Sequence, residues 1–127
     1  MLKSVKKRFK IQITAANQSI NKTFELDKSI KIIKGLALSS NRMDLLYQRG
    51  EQKIEINSEE YFPEDYESKL LMSGLNVSTN DKFYKLGEVN SGNGNIKILY
   101  KDTDDGLTVF SPYTVNFYFD CEREEGL

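Results

Sequence analysis

The strongest constraint on this chain is a run of strict alternation near its end. Tyr113, Val115, Phe117 and Phe119 are apolar, and they alternate with Thr114, Asn116, Tyr118 and Asp120. That is the period of a strand with one face on a core, and its aromatic and β-branched side chains suit a pleated surface. Four large apolar groups in one row demand a second layer to cover them, which the rest of the chain must supply.

At 127 residues the chain is long enough for a single domain, 1–127, with a core of its own. Apolar residues make up 39% and charged residues 29%, a globular balance rather than a disordered one. Lys and Arg number 18 against 19 Asp and Glu, a formal net charge of −1, so there is no bulk electrostatic case for nucleic acid as a partner. No apolar run approaches the roughly 20 residues of a spanning helix, and residues 1–10 lack the apolar core of a signal peptide. The single Cys121 excludes an internal disulfide and suits synthesis in a reducing cytoplasm.

The absence of His removes the commonest general base and the commonest transition-metal ligand. Cys121 sits among Asp120, Glu122 and Glu124, which disfavour a thiolate, so it reads as a structural thiol. The chain is therefore read as non-enzymatic, with no cofactor and no bound metal.

Phe9, Ile11, Ile13 and Ala15 give a first strand, and Thr23 to Leu26 a second, close enough in sequence to form a hairpin. Residues 30–40 predict a central strand with Gly35 at a bulge; a helix is the competing reading, opposed by Gly35 and the β-branched isoleucines. Residues 43–47 and 53–57, flanking a turn-like Gln48-Arg49-Gly50-Glu51, predict another hairpin. Asn57-Ser58-Glu59-Glu60 resembles a helix cap, and Phe62, Tyr66 and Leu70 recur every fourth residue, which predicts a short helix over 63–72. An irregular connection with a turn at 78–81 follows, then a Gly/Asn-rich hairpin tip at 90–95 and an alternating strand from Ile96. The sum is an all-β, antiparallel β-sandwich or jelly roll of about seven or eight strands with one short helix. A small closed barrel is the alternative.

Residues 102–106, Asp-Thr-Asp-Asp-Gly, come nearest to a calcium loop, but Tyr113 stands where a bidentate Glu belongs, so an acidic turn is the better reading. Glu59, Glu60, Glu64, Asp65 and Glu67 read as a solvated acidic helix start; sugar cleavage needs two carboxyls in unlike environments. Tyr118 lies on the wetter side of the strongest strand, where an exposed aromatic marks a surface that another protein covers. Lys3, Lys6, Lys7, Arg8 and Lys10 make the start basic, and Asp120, Glu122, Glu124 and Glu125 make the end acidic. They read as two solvated tails, or as opposite-sign ends that meet between neighbouring subunits.

Residues 54–72, from Ile54-Glu55-Ile56-Asn57 through Tyr61-Phe62-Pro63-Glu64-Asp65-Tyr66 to Leu70-Leu71-Met72, resemble small virion proteins of phages infecting Bacteroidetes-like bacteria. The similarity continues through Asn80-Asp81-Lys82-Phe83 and the Tyr-rich strand. The resemblance implies a β-sandwich capsid-vertex (penton), spike-base or head-fibre component of the virion. Such a protein self-associates as a homo-oligomer and touches a major capsid or other shell protein. The residues expected at contacts are Arg8, Lys10, Asn93, Tyr118 and Glu122. A carbohydrate-binding module is the alternative, and it would need two or three exposed tyrosines in line on one sheet face.

Overall fold

The alternating run lies in the middle of a sheet. In the computed structural model, which describes residues 2–72 and 83–124, it forms β8, Tyr113–Glu124, with Tyr113, Val115, Phe117, Phe119 and Cys121 all buried. On one side β8 pairs with β1, Leu2–Ile13, and on the other with β3, Ile30–Ser40, both antiparallel. The outer neighbour of β3 is β6, Tyr84–Asn90, so the first sheet runs β1-β8-β3-β6. Gly35 falls where the β3 register shifts, as its bulge assignment predicts. A Cβ there would lie 3.0 Å from the Tyr84 carbonyl oxygen, so the missing side chain lets the neighbouring backbone close in.

The second sheet contains β2, Ser19–Glu25; β7, Asn95–Asp102; β4, Gly50–Ile56; and β5, Glu59–Glu67, in the order β2-β7-β4-β5. Its inward row includes Ile54, Ile56, Ile96, Ile98 and Tyr100, each at most 1% exposed, and it meets Phe117, Phe119 and Ile11 of the first sheet. Full burial of a side chain of this size contributes about 1.5–3 kcal/mol, so the facing rows are the main source of stability. Chain order 1-8-3-6 against 2-7-4-5 is the two-Greek-key arrangement of an eight-stranded jelly roll. The sandwich expectation holds, and two separate sheets displace the closed barrel.

Several local expectations give way. β1 and β2 do not form a hairpin; they lie in different sheets, because each has an apolar row to bury and facing each other does so, with the Phe9 and Phe24 rings stacked 4.6 Å apart. Residues 43–47 are not a strand but part of α1, Met43–Arg49, which buries Leu45, Leu46 and Arg49. The helix predicted over 63–72 is replaced by β5 and a single 3-10 turn, Ser68–Leu71. Asn57 and Ser58 are not a cap: their φ values of 53° and 66° make the two-residue turn that joins β4 to β5 as a hairpin. Residues 90–95 are not a hairpin tip either, since they carry the chain from β6 in one sheet to β7 in the other. The turn placed at 78–81 lies outside the described residues.

The basic start and acidic end are not tails. They form β1 and β8, which run antiparallel with Leu2 opposite Glu124, Ser4 opposite Glu122 and Lys6 opposite Asp120, so both lie in one ladder of one chain, where Lys6 and Asp120 pair at 2.9 Å.

Candidate functional site

The loops at one end of the sandwich are tied together by a buried ion pair. Arg49, the last residue of α1, and Asp102, the last of β7, are 3% and 2% exposed. Arg49 Nε and Nη2 donate to the two carboxylate oxygens of Asp102 at 3.0 and 2.8 Å, a fork-on-fork pair. Asp102 also accepts from the Tyr113 hydroxyl at 2.8 Å and from the Asn17 backbone N–H at 2.9 Å. Burial pushes the Asp102 carboxyl up, but the Arg49, Asn17 and Tyr113 hydrogen bonds outweigh it and hold the group below its ordinary value. The Tyr113 and Tyr100 hydroxyls lie 2.9 Å apart, and burial raises the pKa of both.

The second Arg49 branch, Nη1, reaches the Thr108 carbonyl at 2.9 Å and Asp104 at 3.3 Å, which anchors the loop between β7 and β8. Inside that loop Asp105 accepts from the backbone N–H groups of Thr108 at 2.7 Å and Leu107 at 3.0 Å, which holds its carboxyl down at about 2. The acidic run 102–106 therefore spends its carboxylates on loop geometry. Among the described residues no group of three His, Cys, Asp or Glu side chains is placed to hold a metal ion. Sequence reasoning placed Arg49 in a turn, because its partner lies 53 residues away and no local pattern links the two. On this hydrogen-bonded loop Leu107 and Val109 are 90% and 85% exposed, the most solvent-facing large apolar side chains among the described residues.

Four of the five expected contact residues share one surface, the outer face of the first sheet. Tyr118 lies half-buried between Arg8 on β1 and Ala37 on β3, and Lys10 stands opposite Asn116 in the next row. Glu122 lies between Ser4 and Ile32, with Lys34 Nζ 3.9 Å from its carboxylate. Lys6 pairs with Asp120 at 2.9 Å, whereas Arg8 and Lys10 are exposed and have no ion-pair partner among the described residues. Asn93 is not on this face. It sits at the sheet-to-sheet crossing, where its backbone N–H donates to Asn57 Oδ1 at 3.1 Å and its own Oδ1 accepts from the Asn95 N–H at 2.9 Å.

The tyrosines are scattered. Tyr100 and Tyr113 are core, Tyr118 is alone on its face, Tyr61 and Tyr66 lie half-buried within β5, and Tyr47 and Tyr84 project from α1 and β6. Cys121 is buried, and that burial, together with Asp120, pushes its thiol up to about 11, the state of a packing group.

The two open flanks of the sandwich differ in sign. On one, β1 lies over β2, joined by the Phe9–Phe24 stack; on the other, β5 lies over β6, joined by Phe62 and Tyr84 with ring centres 5.5 Å apart. β1 carries five cations, while β5 carries Glu59, Glu60, Glu64, Asp65 and Glu67 on an exposed rim. No helix among the described residues is long and apolar enough to cross a membrane. Comparison with known protein families, with curated proteins and with solved structures finds no match for this chain.

Proposed function

We propose that this chain is a non-enzymatic structural component of a phage particle, a jelly-roll capsid-vertex (penton), spike-base or head-fibre protein. It is made in the host cytoplasm, and it acts by self-association and by contact with a shell protein. The observation that carries this reading is the strand order, 1-8-3-6 packed on 2-7-4-5. Viral capsid and lectin domains both use this arrangement, so the choice between them rests on surface rather than fold. A glycan site is built from aromatic platforms in line, and here Tyr118 has Arg8 and Ala37 as its cross-strand neighbours, not further rings. The interior is filled by Phe117, Phe119, Tyr100 and isoleucines, which leaves the chemistry of this molecule on its outside. That outside offers a half-buried tyrosine beside unpaired cations, and two apolar side chains on a braced loop, the features of a surface that meets other proteins.

The test is location. Antiserum raised against the purified chain should label intact particles of the phage that encodes it, seen by immunogold microscopy, and the chain should appear in their protein mass spectrum. Particles that carry neither label nor peptide refute the proposal. Binding on a glycan array that is lost in Tyr118→Ala would transfer the case to carbohydrate recognition.

A further inference from the structure

Opposite flanks of the sandwich carry opposite charge of equal size. The β1/β2 flank holds Lys3, Lys6, Lys7, Arg8, Lys10 and Lys22 against the single anion Glu25, a net of +5. The β5/β6 flank holds Glu59, Glu60, Glu64, Asp65, Glu67 and Glu88 against the single cation Lys85, a net of −5. Among the described residues both flanks are sheet edges, with no further strand paired to them. Part of the charge is answered at home. Lys6 meets Asp120 and Lys7 meets Asp27, each at 2.9 Å, and Lys101 is shared between Glu64 at 2.7 Å and Asp65 at 3.0 Å. Among the exposed residues without an ion-pair partner in the described part of the chain, Arg8, Lys10 and Lys22 outnumber Glu25 on the first flank, and Glu59 and Glu88 outnumber Lys85 on the second.

Two copies that met through the same flank would set like charge against like, whichever flank they used. A β1 flank laid against a neighbour's β5 flank sets net positive charge against net negative charge. β5 also resists simple strand addition, because Pro63 and the left-handed Asp65, φ 65°, interrupt it beside a register shift. The contact is therefore made by side chains rather than by one sheet continuing into the next.

We propose that copies of this chain associate head to tail, the β1/β2 flank of one against the β5/β6 flank of the next. The occupant of each flank is thus a second copy. This deepens the assembly reading above and rests on it. A head-to-tail contact uses two different surfaces, so every added copy presents a fresh pair, and the series ends only when the rotation closes a ring.

The experiment uses the full purified chain at about 100 μM, measured by light scattering after size exclusion, at about 50 mM and about 500 mM salt, a change that cuts the Debye length about threefold. Wild type should form oligomers at low salt and lose at least about tenfold in association constant at high salt. Arg8→Glu/Lys10→Glu and Glu59→Lys/Glu60→Lys should each be monomeric while keeping the wild-type circular dichroism. Mixing the two in equal amounts should give a heterodimer and no longer series, the intact acidic flank of the first variant against the intact basic flank of the second, because each has one disabled flank. Should a variant fail to fold, wild type answers alone. With isotopically light and heavy copies mixed, a zero-length carboxyl–amine cross-linker should join β1 lysines to β5 glutamates across the two labels. A wild-type monomer at low salt, variants that assemble as wild type does, a mixture that stays monomeric, or cross-links confined to one label would each overturn the head-to-tail contact. Particles that carry the chain alongside a wild-type monomer would keep the function and refute this interface; salt-sensitive oligomers of a chain missing from particles would do the reverse.

Discussion

Arg49 and Asp102 show how much one buried pair can organise. The Arg49 guanidinium satisfies a carboxylate from the second sheet, a carbonyl in the next loop and a further aspartate, and it lies 5.5 Å from the centre of the Phe110 ring. Removing one partner of such a pair leaves the other charge buried without compensation, a cost of about 3–5 kcal/mol. Arg49→Met should therefore lower stability by that amount in urea unfolding, and a loss below about 1 kcal/mol would show that the pair is dispensable. Acid should act on the same group. The folded pKa of Asp102 lies below the ordinary 3.8, so its contribution is complete above that value and is lost as pH falls through the folded pKa. In Arg49→Met this acid sensitivity should largely vanish, since the chief cause of the depression is gone.

At the scale of elements, the rows of alternation were legible and their pairing was not. Residues 113–120, 30–40 and 96–101 are strands in the sequence and strands in the structure, and Gly35 marks a bulge in both. The failures have an arithmetic cause. Phe62, Tyr66 and Leu70 are four residues apart, a spacing close to one helical turn but also an even number, which keeps Phe62 and Tyr66 on the same side of a strand, their rings 5.0 Å apart. α1 fails the other way: seven residues make fewer than two turns, too few for a helical period to emerge from the apolar pattern. Which outward residues gather on one face depends on register, so Arg8 beside Tyr118 could be read only once β1 was known to lie against β8. The junction from α1 into β4 is equally tight. A Cβ on Gly50 would stand 2.5 Å from the Tyr100 hydroxyl, 2.6 Å from Ser68 Oγ and 2.7 Å from the Leu46 carbonyl oxygen. Gly50→Ala should cost about 1–3 kcal/mol in urea unfolding, and a neutral result would mean that the helix can shift without disturbing the sheet.

Across the whole molecule, stability is delegated to contacts between distant parts of the chain. β8 lies between β1 and β3 and contributes Phe117 and Phe119 to the centre of the core, so no subset of strands that omits it can cover the second sheet. A chain ended after Gly106 should lack dispersed amide resonances and a cooperative melt; a truncated form with both would show that the second sheet is stable unaided. The intact chain must bring Leu2 to Glu124 and Ile13 to Tyr113 before its largest apolar row is covered, a topology that folds in milliseconds to seconds rather than microseconds.

Because β1 and β8 run side by side in register, Leu2 and Glu124 are cross-strand neighbours, and the stretch of chain between them comes back on itself. A short peptide joining Glu124 to Leu2 would leave every ladder of both sheets untouched, and the chain could be opened instead between Gly92 and Asn93, which are exposed. The two sheets are thus compatible with a cyclically permuted order of the same segments.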